Sequence, residues 1–148
     1  MRWSIAGEPC IHEERVMTNF SSWCMLIAAL MPIVCAGIAK WGTIGKAASD
    51  GGYDNSHPRE WLSSLRGWRQ RANAAQANCF EALPFFIGAL LWAEQNGAPQ
   101  QRIDMLAGAF VLLRCAYVAL YVTDRASLRS LVWVAALAVN VALLFSGA

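Results

Sequence analysis

The chain has 148 residues, of which 57% are hydrophobic and 15% charged, with seven Trp and a formal net charge of +2. Soluble domains carry about 25% charged and about 45–50% apolar residues, so this balance excludes a disordered chain, a collagen-like chain or a small disulfide scaffold and points to a membrane protein. A charge of +2 is too small to argue for a nucleic-acid partner.

Residues 1–16 are unlike the rest, with Glu8, Glu13, Glu14 and Arg15 ahead of the first apolar run. A secretory signal would place basic residues first and a cleavage site after that run. Here Gly37-Ile38-Ala39 leads into Lys40-Trp41, and further spans follow. The first span is therefore read as retained. Residues 1–16 are read as a flexible tail or, since Met17 stands just before the span, as an upstream extension of the gene model. Residues 17–148 then form one membrane domain.

Four runs are apolar and long enough to cross a bilayer, which takes about 20 residues at about 1.5 Å each. They are Trp23–Ala39, with Trp23 and Trp41 as interfacial anchors; Ala72–Ala93, with one charge at Glu81; Met105–Thr123, with one at Arg114; and Ser130–Ala148, with none. None alternates polar with apolar, and lipid offers the backbone no hydrogen-bond partner, so each is predicted to be helical. The fold class is all-α, a four-helix transmembrane bundle.

The first connection, residues 42–57, has loop composition (Ala48-Ser49-Asp50-Gly51-Gly52). Pro58 with Glu60 behind it predicts a helix start, running through Trp61 and Trp68 and on inward. The second connection holds Asn96-Gly97 and Pro99, and the third is short. Lys40, Lys46, Arg59, Arg66, Arg69 and Arg71 gather at the first connection and Arg125 and Arg129 at the third, against Arg102 alone at the second. The positive-inside rule then puts connections one and three in the cytoplasm and both termini outside. If the source is bacterial, the membrane is the plasma (inner) membrane.

Cys10, Cys24, Cys35, Cys79 and Cys115 form no Cys-x-x-Cys pair and are read as reduced, small apolar side chains. His12 and His57 lack ligand-like companions, so no metal is expected.

Polar groups at membrane depth are costly and seldom face lipid, so they carry the information here. Arg71, Asn78 and Glu81 fall on one face of the second span, with Gln76 beside them and a Pro84 kink after them. Arg114, Tyr117 and Tyr121 share a face of the third, and Arg129, Trp133, Ala136 and Asn140 a face of the fourth. These stripes should face one another or a neighbouring subunit. One reading is structural, with Glu81 paired to Arg114 and Asn78 and Asn140 bridging helices. The other is a polar pocket for an anion, since Arg71, Arg114 and Arg129 outnumber Glu81 and guanidinium forks suit carboxylates.

The segment Arg71-Ala72-Asn73-Ala74-Ala75-Gln76-Ala77-Asn78-Cys79-Phe80-Glu81-Ala82-Leu83-Pro84-Phe85 resembles the second-helix signature of the MAPEG family, the membrane-associated proteins in eicosanoid and glutathione metabolism. Arg114-Cys115-Ala116-Tyr117 with Tyr121, and Leu128-Arg129-Ser130, resemble the family's third and fourth helices. The wording is most like the bacterial branch. The resemblance implies a homotrimer with glutathione, a co-substrate, held between subunits at the cytoplasmic side. It implies Arg71, Asn78, Glu81, Arg114, Tyr117 and Tyr121 as glutathione-binding candidates and Arg129 as the thiolate-stabilising catalytic residue, with Ser127 or Ser130 as helper. One position departs from the pattern. Where eicosanoid-making members carry a second arginine, four residues before the signature Asn, this chain has Ala74.

Two functions follow as expectations. The first is a glutathione-dependent transferase or peroxidase acting on lipophilic small molecules in the bilayer. The second, motivated by Ala74, is a non-catalytic protein of the same fold binding a lipid or an anionic metabolite.

Overall fold

The structure is a computed structural model and describes residues 19–147. Residues 1–16, with Cys10, His12 and the tail reading, lie outside the described residues. The helices are α1 (Phe20–Ala39), α2 (Pro58–Ser64), α3 (Gly67–Gln95), α4 (Gln100–Val122) and α5 (Ala126–Leu144), with a short 3-10 turn at Ala48–Asp50. Four of them, α1, α3, α4 and α5, are long and apolar enough to span a membrane. The protein is a multi-pass integral membrane protein with a four-helix bundle. Each predicted span is present, and each helix extends past its predicted start, most of all α3 and α4, whose first turns are polar.

α3 and α4 form the centre. α1 packs chiefly on α3, α5 packs chiefly on α4, and α1 and α5 make no contact with each other. Phe86 and Phe110 stack at the α3–α4 seam with ring centroids 4.1 Å apart. Ala89, Ala93 and Ala107 are fully buried beside them. Small residues let helices approach closely, which matters in lipid, where association rests on packing rather than on expulsion of water. The outer surface is correspondingly apolar: Trp23, Ile33, Val34, Leu112 and Leu131 all stand exposed. A patch of that size would be a liability in water and is the expected surface in lipid.

The predicted helix from Pro58 does not run on inward. α2 ends at Ser64, Leu65 and Arg66 adopt extended or non-helical backbone, and α3 restarts at Gly67 with φ +62°. That left-handed conformation is cheap only for glycine, so Gly67 fixes the break. α3 continues through Pro84.

The ends of the bundle are tied differently. At one end Arg71 Nε donates to the Val122 carbonyl at 3.0 Å, and Arg71 Nη1 lies 3.6 Å from Asp124 Oδ2. Asp124 has φ 64°, a conformation that Asp tolerates better than most residues. This contact puts connections one and three at the same end, with the basic residues. At the other end the Ser21 amide donates to Asp104 Oδ1 at 3.0 Å and Arg102 Nη1 donates to the Ser146 carbonyl at 3.0 Å.

Asp54 organises the approach to α2. Its Oδ1 accepts from the Ser56 amide at 2.8 Å and the His57 amide at 3.3 Å, and its Oδ2 lies 3.2 Å from His57 Nδ1. The Ser56 amide bond first, then His57, lowers the Asp54 carboxyl below its ordinary value. A carboxyl lowered on folding stabilises its turn above the unfolded-chain value and ceases to do so as pH falls through the folded one. The protection factors of the Ser56 and His57 amides, which divide out the intrinsic pH dependence of exchange, should therefore fall below about pH 4 and hold steady above about pH 5, where the carboxylate is ionised in both states. An Asp54→Asn variant should lose that pH dependence.

Candidate functional site

The polar side chains singled out in the spans divide into three groups. The first lies at the α4–α5 corner. Tyr117 is buried on α4, and Tyr121, one turn on, meets it edge to face with centroids 5.6 Å apart. Arg129, in the first turn of α5, lays its guanidinium over the Tyr121 ring at 4.2 Å. The short turn at residues 123–125 makes this possible, because it returns α5 directly alongside the end of α4. These three residues, with Ser130, Trp133 and Val134, line an open groove of about 440 Å³. That falls within the range of small-molecule sites, which run about 300–1,000 Å³. Its wall is apolar and aromatic with one cation at the rim, a chemistry suited to an anion with an apolar neighbour. Ser130 Oγ donates to the Ala126 carbonyl at 3.2 Å, whereas Ser127 is exposed beside the groove's lining residues in sequence.

The second group is on α3. Asn78 Nδ2 donates to Glu81 Oε2 at 3.1 Å within the same helix, and Glu81 is exposed. Asn78 Oδ1 is buried without a hydrogen-bond partner. Neither residue lines the Tyr121–Arg129 groove. The expected Glu81–Arg114 pair is not formed, because Arg114 turns into the bundle while Glu81 points out of it. Nor does Asn78 bridge two helices; its bond is local. Asn140 is buried on α5, and its Oδ1 also lacks a partner.

The third group is internal. Arg114 is only 2% exposed. Its Nη2 donates to Cys79 Sγ at 3.3 Å, and its guanidinium lies 4.4 Å from the Tyr117 ring centroid. Cys35 and Cys79 are buried in one cluster with Met31, Ala75, Tyr117 and Val118. In sequence these cysteines read as packing, because the two thiols come from different helices, leave no Cys-x-x-Cys signal and meet only through the packing of α1 on α3. Arg71 belongs to none of these groups, since its Nε and Nη1 hold the end of α4.

A four-span apolar bundle with an aromatic groove and one cation at a helix corner defines a multi-pass integral membrane protein. The MAPEG family model matches residues 20–148, all four spans. The chain belongs to the MAPEG family. No curated protein and no solved structure matches it.

Proposed function

We propose that the protein is a glutathione-dependent transferase or peroxidase that acts on lipophilic electrophiles dissolved in the bilayer. The observation that carries this reading is the Arg129 guanidinium fixed over Tyr121 in the lining of the groove. A free thiol has a pKa of about 8.5, and an adjacent guanidinium favours the thiolate. Arg129 supplies that charge to the glutathione sulfur, with Ser127 as hydroxyl donor, or Ser130 once its hydroxyl turns from the Ala126 carbonyl. The thiolate attacks the electrophile, and the apolar wall at Trp133 and Val134 receives it from the lipid.

The Asn78–Glu81 pair supports a shared site. An ionised carboxylate does not stay against hydrocarbon. A second copy of the chain would cover it and would bring Asn78 and Glu81 against another subunit's groove, as in a homotrimer. Glutathione offers an ammonium for Glu81 and a thiol for Arg129. Tyr117 and Tyr121 add hydroxyl donors. Arg71 and Arg114 enter this reading as positioning residues, since both are engaged within the protomer. The basic end of the bundle faces the cytoplasm in this reading, where glutathione is supplied.

A second reading rests on Ala74, which removes one carboxylate contact. In it the fold binds a lipid or anionic metabolite without catalysis. A glutathione titration of the purified protein, followed by calorimetry and by thiolate absorbance in the ultraviolet, separates the two. Saturable heat with a rising thiolate band supports the enzyme. Neither signal at millimolar glutathione removes it in favour of the binder.

A further inference from the structure

The two thiols of the Cys35–Cys79–Arg114 cluster play no part in the groove chemistry above, yet the cluster has the parts of a redox centre. Cys79 is 4% exposed and Cys35 is fully buried, and the two lie in one buried cluster where α1 packs on α3. Arg114 Nη2 sits 3.3 Å from the Cys79 sulfur. Among the described residues no carboxylate pairs with Arg114; the ion pairs are His57 with Asp54 and Arg71 with Asp124. A guanidinium held inside a membrane bundle with a sulfur as its hydrogen-bond acceptor is an unusual expense for mere packing. It is also the partner against which a sulfur can carry negative charge.

A small cavity touches the same atoms. It has a volume of about 10 Å³ and is lined by Ala28, Met31, Cys79, Leu83, Phe110 and Arg114. That is room for about one water-sized molecule. A fatty-acid hydroperoxide is far too large for it. Hydrogen peroxide is uncharged, little larger than water and able to enter a bilayer.

We propose that Cys79 and Cys35 form a peroxide-oxidisable dithiol, with Cys79 the attacking sulfur, Cys35 the resolving one, and hydrogen peroxide the oxidant. In the first step a bond forms between Cys79 sulfur and one peroxide oxygen, and the O–O bond breaks. The departing hydroxide takes the proton that Cys79 gave up and leaves as water. Cys79 is then a sulfenic acid. In the second step the Cys35 sulfur bonds to the Cys79 sulfur and the S–OH bond breaks. That hydroxyl leaves as water with the Cys35 proton. The two thiols lose two electrons in all, and one peroxide becomes two waters. The product links α1 to α3 through a disulfide and withdraws the Cys79 thiol from Arg114. Among the described residues Cys115 is exposed and has no guanidinium hydrogen bond, and Cys24 is buried among apolar groups.

The test uses the full chain in lipid nanodiscs with no glutathione present, so its result is independent of the groove chemistry. After a small molar excess of hydrogen peroxide, non-reducing peptide mass spectrometry should find a Cys35–Cys79 linkage and a loss of two thiols. The Cys35→Ala variant should instead accumulate a dimedone adduct on Cys79. The Cys115→Ser variant should still form the linkage. Arg114→Gln should slow adduct formation by about tenfold or more, and Arg114→Lys should slow it less, because the charge is kept. Oxidation confined to Cys115, or Cys79 unlabelled in Cys35→Ala, would overturn the proposal. Those two variants leave Arg114 in place, so they decide the matter even if Arg114→Gln fails to fold.

Discussion

Replacing Arg129 with alanine should lower the turnover of glutathione conjugation by about a hundredfold to a thousandfold, which corresponds to about 2.7–4 kcal/mol of lost charge stabilisation. The expectation follows from how the guanidinium is held. Arg129 lies in the first turn of α5, and its cation is already stacked 4.2 Å from the Tyr121 ring centroid on the neighbouring helix. An arginine fixed in this way loses little further freedom when a thiolate arrives. Alanine removes the charge and the stack together. Arg129→Lys restores charge without the planar fork and should recover only part of the rate. Since Arg129 is only half-buried and accepts no load in the helix seam, the variant should keep its thermal stability and oligomeric size. Measurement of kcat with a lipophilic electrophile, beside light scattering of the same preparation, checks both halves. Unchanged turnover in a well-assembled Arg129→Ala variant would remove Arg129 from the chemistry.

The spans were legible because hydrocarbon imposes a simple condition: a run of apolar residues of sufficient length must be helical. Helix ends were less legible. α3 and α4 begin in polar turns, Gly67–Arg71 and Gln100–Asp104, that no hydropathy argument includes. The α2–α3 break takes the extended backbone of Leu65 and Arg66 and the left-handed Gly67, although Leu65-Arg66 read as ordinary helix in sequence. Tyr117, Tyr121 and Arg129 could be brought together from sequence because they lie on two helices joined by a short turn, where register is fixed locally. The partners of Arg114 could not. Its apparent match was the opposite charge, Glu81, but charge pairing says nothing about which way two helices are rotated. In the fold the buried face of α3 carries Ala72, Ala75 and Cys79, and Glu81 falls on the other side. The cysteine pair was hidden for the same reason, since it is created by the packing of α1 on α3.

The same rotation gives the second large effect. Glu81 is the middle residue of the 29-residue α3 and is exposed on the protomer. At about 1.5 Å per residue it lies about 20 Å from either end of the helix. Glu81→Leu should weaken glutathione binding by about thirtyfold or more, because a ligand ammonium desolvated between subunits would be left without its counter-charge. Glu81→Gln tests the origin of that loss. Its amide oxygen can still accept from Asn78 Nδ2, so the geometry persists while the charge goes. Equal losses in Gln and Leu would assign the effect to charge, and a much smaller loss in Gln to the hydrogen bond. Stability should move the other way. Leucine removes a costly carboxylate from an apolar surface, so the thermal midpoint in detergent should hold or rise. A residue that served only to join helices would do the opposite, lowering the midpoint and leaving the titration unchanged. Calorimetric titration and thermal unfolding of the same two variants therefore separate a ligand-holding carboxylate from a structural one.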